Sequence, residues 1–120
     1  MLAARAFGAS DAVVRSLAAK SVTAPVAIGI STQIGGIPTL TAPLVILTGI
    51  LGAVLATWVV LPGSDWRARG LGLGIAGHGI ATARALALDT VAGAYSSLGL
   101  GLNAIVSAIA IPLLVNGFRW

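Results

Sequence analysis

The sequence has no cysteine and no glutamate, and its three acids are Asp11, Asp65 and Asp89. Without cysteine there is neither a disulfide framework nor a thiolate site. With one histidine and three well-separated aspartates, no set of metal ligands is expected, and no cofactor. No nucleophile and base stand together, so bond chemistry is not expected either. Charged residues are only 8% of the chain and aromatics 5%, while 58% is apolar and the mean hydropathy is +1.03. That balance excludes an ordinary water-soluble domain.

What is present is apolar sequence in long uncharged runs. None of Asp, Glu, Lys or Arg occurs from Ser21 to Ser64, or from Thr90 to Phe118. A helical crossing takes about 20 apolar residues, so the chain reads as an all-α membrane protein with about four crossings. These are placed at about 21–36, 43–61, 71–88 and 98–115, with residues 1–20 as a leading amphipathic segment and the whole as one domain. The seven cations are not gathered among aromatics, as a nucleic-acid surface requires. They punctuate the apolar runs instead. Placing Arg5, Arg15, Lys20, Arg67, Arg69 and Arg119 on one side satisfies the positive-inside bias and puts both termini in the cytoplasm, the chain being multi-pass in the plasma (inner) membrane. The links on the other face are then expected around 37–42 and 89–97. The first residues do not read as a signal peptide, because Arg5, Asp11 and Arg15 interrupt any apolar core.

Ser10 and Asp11 suit a helix start, and Val13, Val14 and Leu17 fall on one stripe of the following helix. This helix either lies at the interface or enters the membrane. In the next segment Pro25 suits a first turn, while Gly35, Gly36 and Pro38 end the helix. Ten helical residues cover roughly 15 Å, half a bilayer core. Either the preceding helix supplies the other half of one broken crossing, or the segment dips in and returns. Pro43 opens a long regular run containing Gly49 and Gly52 and closing near Trp58; the last run, with Gly99 and Gly101, is also regular, and Trp120 suits an interfacial anchor. The third segment is broken at Gly77-His78-Gly79. Two interrupted segments thus alternate with two regular ones, as in one half of an inverted-repeat transporter, where broken helices mark the binding site.

Gly72-Leu-Gly74-Ile-Ala-Gly77 fits a dinucleotide fingerprint by spelling only: no strand precedes it and no acid follows at the required distance, so helix packing explains it better. His78, an ionisable group between two glycines in apolar sequence, is a candidate functional residue that titrates near neutrality. Arg84 inside a crossing needs a partner or an anionic ligand; Asp89, five residues on, faces elsewhere on the helix. Lys20, Ser21 and Thr23 flank one helix start, and Thr82 and Arg84 follow the break at Gly79. Cations, hydroxyls and free helix N–H groups together suit an anion, with Gln33 and Asn103 as further polar candidates. Arg84→Gln is accordingly expected to weaken binding, and Lys20→Gln to do so if its helix enters the membrane.

The blocks Lys20-Ser-Val-Thr-Ala-Pro25, Gln33-Ile-Gly-Gly-Ile-Pro38, Leu47-Thr-Gly-Ile-Leu-Gly52, Arg69-Gly-Leu-Gly-Leu-Gly74, His78-Gly-Ile-Ala-Thr-Ala-Arg-Ala85 and Gly101-Leu-Asn103 resemble the LrgB/CidB family, in that family's order. The resemblance covers the carboxy-terminal half of family members, which are about twice this length and include the plastidal glycolate/glycerate translocator. Thr32 stands where a glutamate often occurs, and Ala24 where a threonine is frequent. The resemblance implies half of a carrier for a small monocarboxylate such as pyruvate, glycolate or glycerate. The alternative it implies is a holin-like or regulatory membrane protein controlling murein hydrolase activity and lysis. Expected partners are the lipid bilayer, the monocarboxylate anion, and either further copies of the chain or the unmatched amino-terminal half, with an LrgA-like membrane protein as another candidate.

Overall fold

Pro25 and Pro38 begin helices in this chain, Pro43 and Pro112 lie inside helices, and paired glycines end one. In the computed structural model, which describes residues 2–59 and 65–117, six helices follow one another: α1 (Leu2–Ala6), α2 (Asp11–Ala18), α3 (Ala24–Gln33), α4 (Pro38–Val59), α5 (Trp66–Leu88) and α6 (Thr90–Gly117). Pro25 occupies the first turn of α3, where its missing N–H costs nothing. Past α3, Gly35 adopts a φ of +73°, Gly35 N–H donates to Thr32 C=O (3.3 Å) and Gly36 N–H to Ser31 C=O (2.8 Å). This is the double bond pattern that satisfies orphan carbonyls at a helix end. Pro38 then starts α4 directly.

The chain is an all-α membrane protein. Counted end to end, α4, α5 and α6 are each long and apolar enough to cross a bilayer, α5 only when its break at His78 is disregarded. Leu47, Leu51 and Leu55 on α4, and Leu98, Leu102, Ile105, Ile109 and Leu113 on α6, are exposed. Rows of exposed aliphatic side chains fit hydrocarbon as solvent. The longest dimension, 42 Å, is about what the 28 residues of α6 need.

Segment 21–36 does not form one through-going helix. Arg15 Nη1 donates to Ile34 C=O (2.9 Å) and the Ile37 N–H donates to Ser16 Oγ (2.7 Å). The middle of α2 therefore lies beside the end of α3, and the two helices run in opposite directions. Of the two sequence alternatives, the chain dips in and returns. Ala19, Val22, Ala27, Ile30 and Ile34 bury this hairpin's inner face against Val45 of α4 and Val115 of α6. Val14 is buried, as the predicted stripe requires, and Ser10 takes the N-cap position of α2 without a side-chain cap bond.

α5 reverses as well. His78, with φ 51° and ψ −141°, interrupts it. Before the break, Gly70 lies on the Ala92 backbone and Gly74 on Ser96 and Leu100, so close that a Cβ would overlap them. After it, Thr82 meets Ser96 and Leu86 meets Gly93. Residues 66–77 thus run along the start of α6 in its own direction, and residues 79–88 run against it. The break is the tip of a second hairpin.

The path is hairpin, long helix, hairpin, long helix, with the second pair inverted. α6 begins at the base of the second hairpin and ends at the first, where Val115 joins the cluster of Ile34 and Val45. Three expectations change as a result. The four crossings resolve into two hairpins and two helices, α4 and α6, that run through without reversal, because each interrupted segment folds back at its break. Arg67 and Arg69 lie at the far end of α4 from Pro38, not on the face that holds α2, because α4 separates them. The links expected at 37–42 and 89–97 shrink: Asp89 alone separates α5 from α6, its Oδ1 accepting from Ala92 N–H (2.9 Å) as an N-cap. The backbone at Pro62, Gly63, Ser64, Arg119 and Trp120, and the Trp58 side chain, lie outside the described residues.

Candidate functional site

The two hairpin tips meet at half depth. α3 is ten residues, roughly 15 Å, so residues 19–23 reach the middle of the 22-residue α4. From the other side, Gly77 and Ile80 pack on Gly49 and Gly52 at the centre of that helix. Between the tips lies a cavity of about 220 Å³, lined by Thr23 and Ala24 of the first tip, Val45, Ile46 and Gly49 of α4, and Gly77, His78, Gly79 and Ile80 of the second.

His78 is the unusual member. It is the one non-glycine residue with positive φ among the described residues, and such a backbone costs on the order of 1–3 kcal/mol outside glycine. The residue is 3% exposed, and Nε2 is buried without a hydrogen-bond partner among the described residues. The imidazole lies by the Ser21 backbone and within electrostatic reach of Lys20. The carbonyls of Ile75, three residues before the break, and of Ser21 both face α6. Asn103 of α6 answers: its Nδ2 lies 3.4 Å from Ile75 O and donates to Ser21 O at 2.8 Å, while its Oδ1 accepts from Ser107 (3.2 Å). One amide thereby holds both tips to the same turn of α6.

Of the residues singled out by sequence, Thr23 and His78 line the cavity, and Lys20, Ser21 and Asn103 stand beside them at the tips without lining it. Thr82 is adjacent but faces away, its hydroxyl donating to His78 O (2.8 Å) and meeting Ser96 Oγ (2.8 Å). Gln33 sits at the far end of α3, exposed. Arg84 is exposed on the returning arm of α5, six residues beyond His78. Neither lines the cavity. The apolar wall of Val45, Ile46 and Ile80 carried no sequence signal, since one aliphatic residue in such a run reads like another. Ser96 and the cluster of Ser16, Ser31 and Thr41 also escaped attention; all four are buried and join helices through their hydroxyls.

The electrostatics are one-sided. Asp11 pairs with Arg5, Asp65 accepts from Arg67 N–H (3.1 Å) and Asp89 caps α6, so every acid is at a helix start away from the cavity. The cavity instead faces two helix N-termini, those of α3 and of the arm beginning at Gly79, with Lys20 exposed at the first tip and outside the lining. Both direct partial positive charge and free N–H groups inward, an arrangement that suits a small anion.

The sequence profile of the LrgB-like family matches residues 1–116. The chain is similar to the holin-like protein CidB of Staphylococcus aureus, with 39% identity over 116 residues, 95% of this chain and 51% of that protein. It is 40% identical over 111 residues to the holin-like protein CidB of Staphylococcus epidermidis (91% and 48%), and 40% identical over 106 residues to the uncharacterized protein YwbG of Bacillus subtilis (87% and 47%). The chain spans about half the length of these curated relatives. No solved structure matches it.

Proposed function

This chain belongs to the LrgB-like family, and from that premise we propose that it forms the half-depth solute site of a membrane carrier for a small monocarboxylate of the pyruvate, glycolate or glycerate type. The observation that carries the proposal is His78: a buried, strained residue with a free ring nitrogen, set in the wall of a cavity between two helix N-termini. A sequence keeps a non-glycine residue at such a backbone position for a purpose, since glycine would hold the turn more cheaply. The carboxylate lies between the first turn of α3 and the Gly79 end of the second hairpin, with Lys20 and Thr23 beside it, and the remainder of the solute lies on Val45, Ile46 and Ile80. Backbone polar groups exposed at broken helices in a membrane are tolerated where they line such a cavity. No covalent step is involved.

A second reading is favoured by the relatives' printed name, holin-like protein: this chain acts through permeability and lysis rather than by carrying a defined solute. Uptake of labelled pyruvate and glycolate into liposomes, with the chain supplied alone and together with the amino-terminal half of a relative, separates the two. A carrier saturates and is competed by unlabelled acid; release of unrelated solutes without saturation supports the holin-like reading and removes the first.

A further inference from the structure

The walls of the cavity between the tips are chemically unequal. Among the described residues that line it, Thr23 and His78 carry the polar side chains; Ala24, Val45, Ile46 and Ile80 are aliphatic, and the rest are glycines. Val45 is buried in the core cluster of the first hairpin, so that part of the wall is fixed, while Ile46 and Ile80 stay half-exposed. With a carboxylate held at the two helix starts beside Thr23, His78 is the polar side chain of the lining left for everything else in the solute. A polar group brought into such a place without a partner keeps its desolvation cost, whereas an aliphatic group gains by leaving water. The volume points the same way. About 220 Å³ is room for roughly seven waters at about 30 Å³ each, which matches the non-hydrogen atoms of a five-carbon monocarboxylate. Glycolate fills less of it, and the shortfall lies against the aliphatic wall.

We infer, resting on the anion site proposed above, that the cavity selects an aliphatic monocarboxylate of about four to six carbons over the smaller hydroxy and oxo acids. Val45, Ile46 and Ile80 set this preference, because the tail lies on them. Each methylene that moves from water onto that wall should raise affinity about fourfold, until the cavity is full. Glycerate brings two hydroxyls against one remaining polar side chain, and so binds less tightly than butanoate.

The test is calorimetric titration of the full chain in lipid nanodiscs, with empty nanodiscs subtracted, using the unbranched acids from acetate to octanoate together with glycolate, glycerate and pyruvate. The expected result is a rise of about fourfold per carbon from acetate to pentanoate and a plateau beyond hexanoate. Ile46→Ala and Ile80→Ala, both at half-exposed positions, should each lower the ratio of pentanoate to acetate affinity at least threefold. A flat series overturns the inference, as does tighter binding of glycolate or glycerate than of pentanoate, or an unchanged ratio in both variants. A rise that continues unbroken through octanoate also overturns it, since the chain would then be leaving the cavity for the bilayer. Binding of glycolate and pyruvate without a chain-length preference sinks this inference and leaves the carrier reading standing; no binding of any acid removes both.

Discussion

Thr82 Oγ1 lies 2.8 Å from Ser96 Oγ and so ties the returning arm of the second hairpin to α6. The first hairpin has its counterpart: Ser31 on the returning arm lies 2.7 Å from Thr41 on α4. In each half a hydroxyl pair joins the returning arm to the long helix that follows, at buried positions where no water competes. Thr82→Val and Ser96→Ala should each lower thermal stability, with a coupling in a double-mutant cycle of about 0.6–1.7 kcal/mol, the range for hydrogen bonds between membrane helices. Unfolding in mild detergent measures it. Strictly additive effects would show that the two hydroxyls do not hold the arm.

His78 separates fold from function. Glycine accepts a φ of 51° without strain, so His78→Gly should fold at least as stably as the natural chain. The same change removes the free ring nitrogen from the cavity wall, and monocarboxylate binding should weaken about tenfold or more. Thermal unfolding and ligand titration on one preparation test both halves. Retained affinity would make the imidazole a bystander.

The two cations within the apolar segments should behave differently. Both are exposed and neither lines the cavity, but Lys20 stands at the tip beside His78, whereas Arg84 lies six residues along the returning arm. Lys20→Gln should weaken monocarboxylate binding by about ten to a hundredfold, the worth of one charge-assisted hydrogen bond. Arg84→Gln should change it by less than about twofold, in contrast to the expectation from sequence. Equal losses in both variants, measured by uptake or titration, would place the anion on the wrong arm.

The reversal of α5 has a topological consequence. Ala68→Cys and Thr90→Cys, at the base of the second hairpin, should react with an impermeant thiol reagent from one side of the membrane, and Ile37→Cys and Gly117→Cys from the other. The chain has no native cysteine to confuse the labelling. Labelling of positions 68 and 117 from the same side would restore a straight α5.

Much of this architecture was legible in the residues. Uncharged runs and scarce charge fixed the membrane setting, because hydrocarbon admits neither unpaired charge nor open backbone. Pro25, the Gly35–Gly36 pair and Gly77-His78-Gly79 marked where helices start, stop and break, since those preferences belong to single residues and their φ angles. The hydroxyls and cation around the two breaks announced an anion site. Local preference, however, says that a helix is interrupted and not by how much the chain turns. Whether segment 71–88 bends or doubles back depends on the ψ of one residue, and on Gly70 and Gly74 letting an arm lie on the backbone of α6, a contact between residues 22 apart in sequence. The same long-range packing brought Lys20 to His78 and left Arg84 outside, although Arg84 is the nearer to His78 along the chain. Sequence spacing measures distance along one helix; the distance between two hairpin tips is set by the helices they pack against.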